Sequence, residues 1–167
     1  LLKLNVNGVI NTLYHLLPSI PKSSSSRIVV ISSVAGLLPV PYRSVYCASK
    51  HALNGFANSL RIELKDTYGK DAPVVQVINF PEVQGTELNN GRMDFGADQP
   101  PIQFDTTKVI TVEDACSSLT KKIEEGVREW GQPLKVSILL PLLSIIPNIL
   151  ENIIIKTVKK THYRPTK

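Results

Sequence analysis

The sequence predicts an α/β fold in which helices cover both faces of an open parallel sheet. Two short apolar runs, residues 28–31 and 74–78, are rich in β-branched side chains. Such continuous runs are typical of strands that are buried on both faces of a parallel sheet. Helical patterns precede the first run, separate the two runs and follow the second. An alternation of this kind favours a parallel sheet whose crossovers are helices.

Each element has its own local signal. The first helix is expected to end near Pro18, because the residue before a proline disfavours helical geometry. Thr111 is the expected N-cap of the last helix, which acidic residues follow and Gly126 closes. A long irregular stretch, residues 79–111, predicts a loop that is either functional or mobile. The predicted helices are residues 4–17, 44–65 and 111–125, and the predicted strands are residues 27–33, 74–78 and 135–139.

The composition is that of one globular domain. The chain has 167 residues, of which 43% are hydrophobic and 20% charged. Its two cysteines, Cys47 and Cys116, are too few for a metal site or a disulfide framework, which favours a reducing compartment.

The C-terminal segment, residues 141–167, is apolar and then basic. Pro141, Pro147 and Glu151 interrupt it, which argues against a membrane span. It instead predicts an amphipathic helix on a membrane surface, with a helix packed on the domain or on a dimer partner as the alternative. The net charge of +5 is partly concentrated here, where a solvated terminus explains it equally well. No nucleic-acid partner is expected, because aromatic residues do not interleave with the basic ones.

One pair of residues carries acid/base chemistry. Tyr46 and Lys50 are four residues apart in a predicted helix, so their side chains are neighbours on one face. A phenol has a pKa of about 10, and a nearby ammonium lowers it by favouring the phenolate. Such a pair is a general acid/base near physiological pH. Taken alone, this spacing also occurs by chance as a surface pair.

A serine at the end of the first strand strengthens this interpretation. Ser33 lies thirteen residues before Tyr46, and ligands of open α/β sheets bind at the carboxyl ends of strands. Its hydroxyl could donate a hydrogen bond to a substrate oxygen. A simple strand-end cap is the alternative, and Ser32 is a second candidate for the same role.

These segments together resemble the active-site block of the classical short-chain dehydrogenases/reductases. The similar segments are residues 31–36, residues 46–53, which begin Tyr46-Cys47-Ala48-Ser49-Lys50, residues 4–8, which contain Asn5, and residues 81–87, which begin with Pro81 and contain Thr86. Residues 112–126 resemble the acidic helix before the last strand of that family. The tail and the Tyr-Cys-Ala-Ser-Lys spelling resemble the microsomal branch that includes dehydrogenase/reductase member 7 and the 11-beta-hydroxysteroid dehydrogenase types. The resemblance implies the C-terminal half of an incomplete Rossmann-type, doubly wound parallel sheet in residues 1–140, with residues 141–167 as a tail.

The resemblance also implies a role for each matching residue. Tyr46 would exchange a proton with the substrate oxygen, and Lys50 would hydrogen-bond the nicotinamide ribose. Ser33 would polarise the carbonyl, and Asn5 would hold a water linked to Lys50. Pro81 and Thr86 would lie against the nicotinamide, with Thr86 at its carboxamide. The cofactor would be NADP or NAD, with NADP favoured by analogy, and no metal is implied.

Two departures from the family pattern stand out. Glu82 replaces the glycine that usually follows Pro81, which would perturb the nicotinamide loop unless its side chain points to solvent. The Gly-rich phosphate-binding turn does not occur in the sequence and is expected before Leu1. This chain alone is therefore expected to bind cofactor weakly.

The sequence thus predicts an oxidoreductase that interconverts an alcohol and a carbonyl on a small lipophilic substrate. A homodimer is expected of the complete protein, at the endoplasmic reticulum membrane or in the cytoplasm. The alternative is a truncated, non-catalytic chain that acts at most as a membrane-associated or dimerising module.

Overall fold

The fold is built on a three-stranded parallel sheet. The computed structural model describes residues 1–40, 43–84 and 110–130, together with residues 151, 152 and 156. The strands are β1 (Arg27–Ser33), β2 (Val74–Phe80) and β3 (Glu129–Trp130), in the order β1-β2-β3. Arg27 pairs with Val74 at one end of the β1–β2 ladder, and Ser33 pairs with Phe80 at the other. The carboxyl ends of β1 and β2 therefore lie side by side.

The helices follow the predicted order. A π-helix (Lys3–Gly8) leads directly into α1 (Val9–Leu16), α2 spans Ser44–Tyr68, and α3 spans Val112–Glu124. Short 3₁₀ turns lie at Leu17–Ser19, Val34–Gly36 and Gly69–Asp71. Pro18 lies in the first of these turns, as the predicted end of the first helix requires.

Helix α2 is one turn longer than predicted. It continues past residue 65 to Tyr68 and ends at Gly69, whose φ of 57° lies in the left-handed region. A glycine adopts that conformation without the steric cost of a Cβ, so the helix ends there. The prediction for α3 is confirmed: the Thr111 side chain accepts a hydrogen bond from the Asp114 amide at 3.1 Å, and Gly126 has a φ of 66°.

The two faces of β2 contact different helices. Val75 and Val77 belong to the core cluster with Leu53 and Ala57 of α2. Gln76, which points the other way because successive strand residues alternate, donates hydrogen bonds to two carbonyls at the end of α3. β2 is therefore buried on both faces, as the sequence predicts.

The same prediction is wrong for β1. Ile28 and Val30 are buried under α2, but Ile31 on the opposite face is 47% exposed and Val29 is half-buried. The reason lies in the position of β1 at the edge of the described sheet, where α3 packs across β2 rather than across β1. An apolar run alone does not distinguish a central strand from one at an edge.

Several predicted segments lie outside the described residues. They are the strand at residues 135–139, most of the irregular stretch and almost all of the C-terminal segment. None of the helices within the described ranges combines the length and apolar character needed to cross a membrane.

The close approach of the Val34–Gly36 turn to α2 generates a stability prediction. A Cβ added at Gly36 would lie 2.9 Å from the Lys50 carbonyl oxygen, so the turn and the helix would have to separate. We expect Gly36→Ala to lower the free energy of unfolding by about 1–3 kcal/mol. Gly55→Ala is the matched control. Gly55 lies in α2, and a Cβ added there would meet nothing within 4 Å. Gly55→Ala should raise the free energy of unfolding by about 0.5–1 kcal/mol, because alanine is favoured over glycine inside a helix. Urea denaturation of both variants measures the two changes, and a neutral Gly36→Ala would contradict the tight contact.

Candidate active site

The predicted acid/base pair lies on the first turns of α2. Tyr46 and Lys50 are both half-buried, and the Lys50 Nζ lies 5.7 Å from the centroid of the Tyr46 ring. The side chains therefore share one helix face, as the four-residue spacing predicts. Among the described residues, none forms a hydrogen bond with the Tyr46 hydroxyl.

Lys50 reaches from the helix to the sheet. Its Nζ donates a hydrogen bond to the Ile31 carbonyl oxygen at 3.3 Å, near the carboxyl end of β1. Partial burial lowers the pKa of Lys50 from its ordinary value of 10.5, because desolvation disfavours the charged ammonium. An ammonium has three donor hydrogens, so two remain for other acceptors.

Of the two candidate serines, Ser33 is the more accessible. Its Oγ accepts a hydrogen bond from the Ala35 amide at 3.2 Å and thereby begins the Val34–Gly36 turn. A hydroxyl that accepts in this way still has its hydrogen to donate. Ser32 is buried, and its Oγ is directed at the Lys50 carbonyl oxygen at 3.5 Å. The strand-end cap predicted as the alternative for Ser33 is therefore present, and its role as a donor to a substrate oxygen stays a prediction.

Asn5 lies in the π-helix and contacts the helix of the acid/base pair. Its Nδ2 donates to the Ser49 Oγ at 3.1 Å, and that hydroxyl donates to the Tyr46 carbonyl oxygen at 2.7 Å. Ser49 is fully buried between the two helices. Single π-helical turns are frequent at functional sites, because they shift a side chain out of the regular helical position.

The segment after β2 borders the same region. Pro81 and Glu82 are half-buried, so Glu82 does not point wholly to solvent. Val83 forms an isolated bridge with Ile110, and the Gln84 amide donates to the Ile110 carbonyl at 2.9 Å. Thr86 lies outside the described residues.

Two further residues on α2, Cys47 and His51, have ordinary structural surroundings. Cys47 is buried, and its Sγ lies 3.8 Å from the Val40 carbonyl oxygen. His51 Nδ1 lies 2.9 Å from the Cys47 carbonyl oxygen. Within the described ranges, no group of three or more His, Cys, Asp or Glu side chains is arranged to hold a metal ion.

Two buried asparagines near the site, Asn54 and Asn79, were not predicted from the sequence. Asn54 Nδ2 donates to the Gly36 carbonyl and to Asn79 Oδ1, both at 3.0 Å. A signal was present, because Asn54 interrupts the apolar stripe that Leu53 and Ala57 mark on α2. Asn79 likewise follows a run of apolar strand residues.

The family follows from a comparison with known proteins. The family model described as short chain dehydrogenase matches residues 1–93, a stretch that contains Asn5, Ser33, Tyr46 and Lys50. The chain belongs to the short chain dehydrogenase family. The resemblance predicted from the active-site block is thereby confirmed.

Two curated relatives show how much of a family member this chain represents. It is 32% identical over 112 residues to 11-beta-hydroxysteroid dehydrogenase A of Sesamum indicum, covering 67% of this chain and 32% of that protein. It is 33% identical over 136 residues to dehydrogenase/reductase SDR family member 7B of Xenopus tropicalis, covering 78% and 40% respectively. These relatives agree with the predicted branch, and the chain spans well under half of either one.

A solved structure confirms the fold class. A short chain dehydrogenase from Burkholderia cenocepacia, crystallised in complex with NADP, superposes with a TM-score of 0.65 at 18% identity. The match covers 92% of this chain and 56% of that one. The α/β fold with a partial Rossmann-type parallel sheet is thus the one predicted.

The burial of Lys50 predicts how stability depends on pH. Its pKa is lower in the folded chain than in the unfolded chain, so the unfolded state binds more protons between the folded pKa and 10.5. The stability of the wild type relative to Lys50→Met should therefore rise as the pH increases through that window. Urea unfolding of both proteins from pH 7 to about pH 10.5 measures the difference.

Lys65→Met, an exposed substitution on the same helix, controls for the loss of one positive charge. A wild-type advantage over Lys50→Met that stays flat or declines with pH would contradict a desolvated amine.

Proposed function

We propose that this chain supplies the acid/base and substrate-facing part of an NAD(P)-dependent oxidoreductase that interconverts an alcohol and a carbonyl. The observation that carries the proposal is the Lys50 ammonium, 5.7 Å from the Tyr46 ring centroid and anchored to the carboxyl end of β1. Ligands of open α/β sheets bind at that edge. A titratable hydroxyl beside a fixed cation is suited to proton exchange with a substrate oxygen.

Tyr46 is the proposed proton donor and acceptor. In the reductive direction its hydroxyl gives a proton to the oxygen of the carbonyl, and in the oxidative direction it takes one from the alcohol. The positive charge of Lys50 stabilises the phenolate that forms when the proton leaves. The lysine is held in place by its own hydrogen bond to Ile31, so it need not reorganise during the reaction.

Ser33 and Asn5 complete the proposed set. Ser33 donates its free hydroxyl hydrogen to the substrate oxygen, while the Ala35 amide fixes the position of its Oγ. Asn5 supports the helix that carries the base, because its hydrogen bond to Ser49 continues to the Tyr46 carbonyl. The proposed role of Asn5 in holding a water is compatible with its half-buried position.

The described residues fit a nicotinamide cofactor at this edge. The two remaining donor hydrogens of Lys50 suit the hydroxyl oxygens of a ribose, and Tyr46 lies on the same side. Pro81 follows β2 directly and would border the nicotinamide, with Thr86 beyond it. Such a cofactor supplies or accepts the hydride when bound. NADP is favoured over NAD by family analogy and by the NADP complex of the Burkholderia protein.

The substrate class is inferred from relatives. One of them is named as an 11-beta-hydroxysteroid dehydrogenase, which supports a small lipophilic alcohol or carbonyl as substrate. The similarity to member 7B supports placing this chain in the same branch of the family. We propose that the protein associates with a membrane surface and forms a homodimer.

The proposal predicts separate effects on turnover and on cofactor affinity. In the full chain, Tyr46→Phe should lower kcat by about 10²–10⁴-fold, because it removes the proton without removing the ring. Cofactor affinity should stay nearly unchanged. Steady-state kinetics with a lipophilic ketone, and titration of NADPH fluorescence, measure the two quantities.

Tyr14→Phe is the matched control, since Tyr14 is 74% exposed on α1. Turnover by Tyr46→Phe at the rate of this control would refute the assigned proton donor. An absence of NADPH binding at millimolar concentration would instead favour the non-catalytic module.

A further inference from the structure

A chain of buried amide groups joins helix α2 to both neighbouring segments of the site. Asn54 lies one turn after Lys50 on α2 and is 6% exposed. Its Nδ2 donates to the Gly36 carbonyl and to Asn79 Oδ1, each at 3.0 Å. Asn79 is fully buried at the end of β2, and its own Nδ2 donates to Glu129 Oε1 at 3.1 Å.

The carboxylate at the end of this chain sets its direction. A carboxylate only accepts hydrogen bonds, so the Nδ2 of Asn79 must face Glu129. The Oδ1 of Asn79 then faces α2, and Asn54 must present its Nδ2 there. Both donor hydrogens of Asn54 are thereby used, and neither amide can rotate by 180° without opposing like groups.

The arrangement leaves an uncompensated polar atom. Asn54 Oδ1 is buried and has no hydrogen-bond partner among the described residues. Burying such an acceptor destabilises the fold, whereas the two hydrogen bonds that Asn54 donates satisfy the Gly36 carbonyl and Asn79 Oδ1. An apolar side chain at this position would leave both of those acceptors without this donor.

The Gly36 contact connects Asn54 to the proposed chemistry. Gly36 ends the turn that begins directly after Ser33. The turn packs so closely on α2 that a Cβ at Gly36 would lie 2.9 Å from both Asn54 Nδ2 and the Lys50 carbonyl oxygen. The Gly36 hydrogen bond thus holds the Ser33 turn against the helix that carries the acid/base pair.

We propose that Asn54 is a positioning residue that sets the placement of Ser33 relative to Tyr46 and Lys50. The proposal rests on the proposed function, because Asn54 acts only through those side chains. Asn79 and Glu129 orient the Asn54 amide, and the Gly36 carbonyl receives its second donor. Misplacing a reacting group by about 1 Å is sufficient to lower a rate about 10²-fold.

A buried amide elsewhere in the sheet provides a matched control. Gln76 is fully buried in β2, and its Nε2 donates to the Lys122 and Val127 carbonyls at 3.0 and 2.8 Å. Like Asn54, it has an unpaired buried oxygen. It stabilises the end of α3 on the opposite face of β2, so Gln76→Leu removes equivalent bonds away from the Ser33 turn.

The experiment compares Asn54→Leu with Gln76→Leu in the full chain. We expect both substitutions to lower the midpoint of unfolding, and by similar amounts. Asn54→Leu alone should lower kcat, by about 10- to 100-fold, with less than about a twofold change in the Kd of NADPH. Amide hydrogen exchange should quicken at residues 35–38 in Asn54→Leu only, because Leu37 and Leu38 both donate to the Val34 carbonyl in this turn.

Equal kcat values in the two variants would overturn the positioning role while leaving the proposed function intact. A wild type without turnover would overturn the proposed function, and unchanged exchange at residues 35–38 would then overturn the tether as well. If Asn54→Leu does not fold, Asn54→Ser replaces it, since one hydroxyl hydrogen cannot serve both acceptors. The same loss of kcat and the same faster exchange are expected.

Discussion

The candidate site depends on the close contact between helix α2 and the carboxyl end of β1. The absence of a side chain at Gly36 allows the turn after Ser33 to lie against the backbone of Lys50. In the opposite direction, the Lys50 side chain extends to the Ile31 carbonyl. Each contact involves a backbone carbonyl, that of Lys50 in the first and that of Ile31 in the second, and together they hold the helix close to the strand end. Tyr46, one turn earlier, is placed beside the strand end by the same packing.

This contact also determines the electrostatics of the pair. The packing removes part of the solvent around Lys50 and lowers its pKa. Among the described residues, the side chain of Lys50 hydrogen-bonds a neutral backbone carbonyl, that of Ile31, and no carboxylate pairs with it. A carboxylate beside Lys50 would favour the charged ammonium, but it would also cancel the positive potential at the phenol of Tyr46. With a neutral partner, the positive charge of Lys50 is not cancelled at a distance of 5.7 Å from the Tyr46 ring centroid, as the proposed role of Tyr46 requires.

The sequence predicted those features that depend on periodicity. The bounds of β1 and the N-cap of α3 were correct, because β-branched runs and capping residues act locally. The exposure of Ile31 was not predictable, since it depends on which neighbour lies beside β1. The two-residue strand β3 has no pattern of its own and exists through its pairing with Val77 and Ile78. At the site, family spacing selected Asn5, Ser33, Tyr46 and Lys50 as candidates, whereas the amide chain through Asn54 depends on tertiary contacts.

The register of the sheet explains where the apolar core ends and the site begins. On the α2 face, β1 presents Ile28, Val30 and then Ser32, while β2 presents Val75, Val77 and then Asn79. Ser32 and Asn79 are paired across the ladder, so both strands change from apolar to polar at the same level. Helix α2 changes at that level too, because Ser32 lies against the Lys50 carbonyl and Asn79 against Asn54. A one-residue slip of β2 would turn Asn79 to the other face and bring an apolar side chain under Asn54. The pairing of the strands therefore specifies the polar layer on which the proposed chemistry rests.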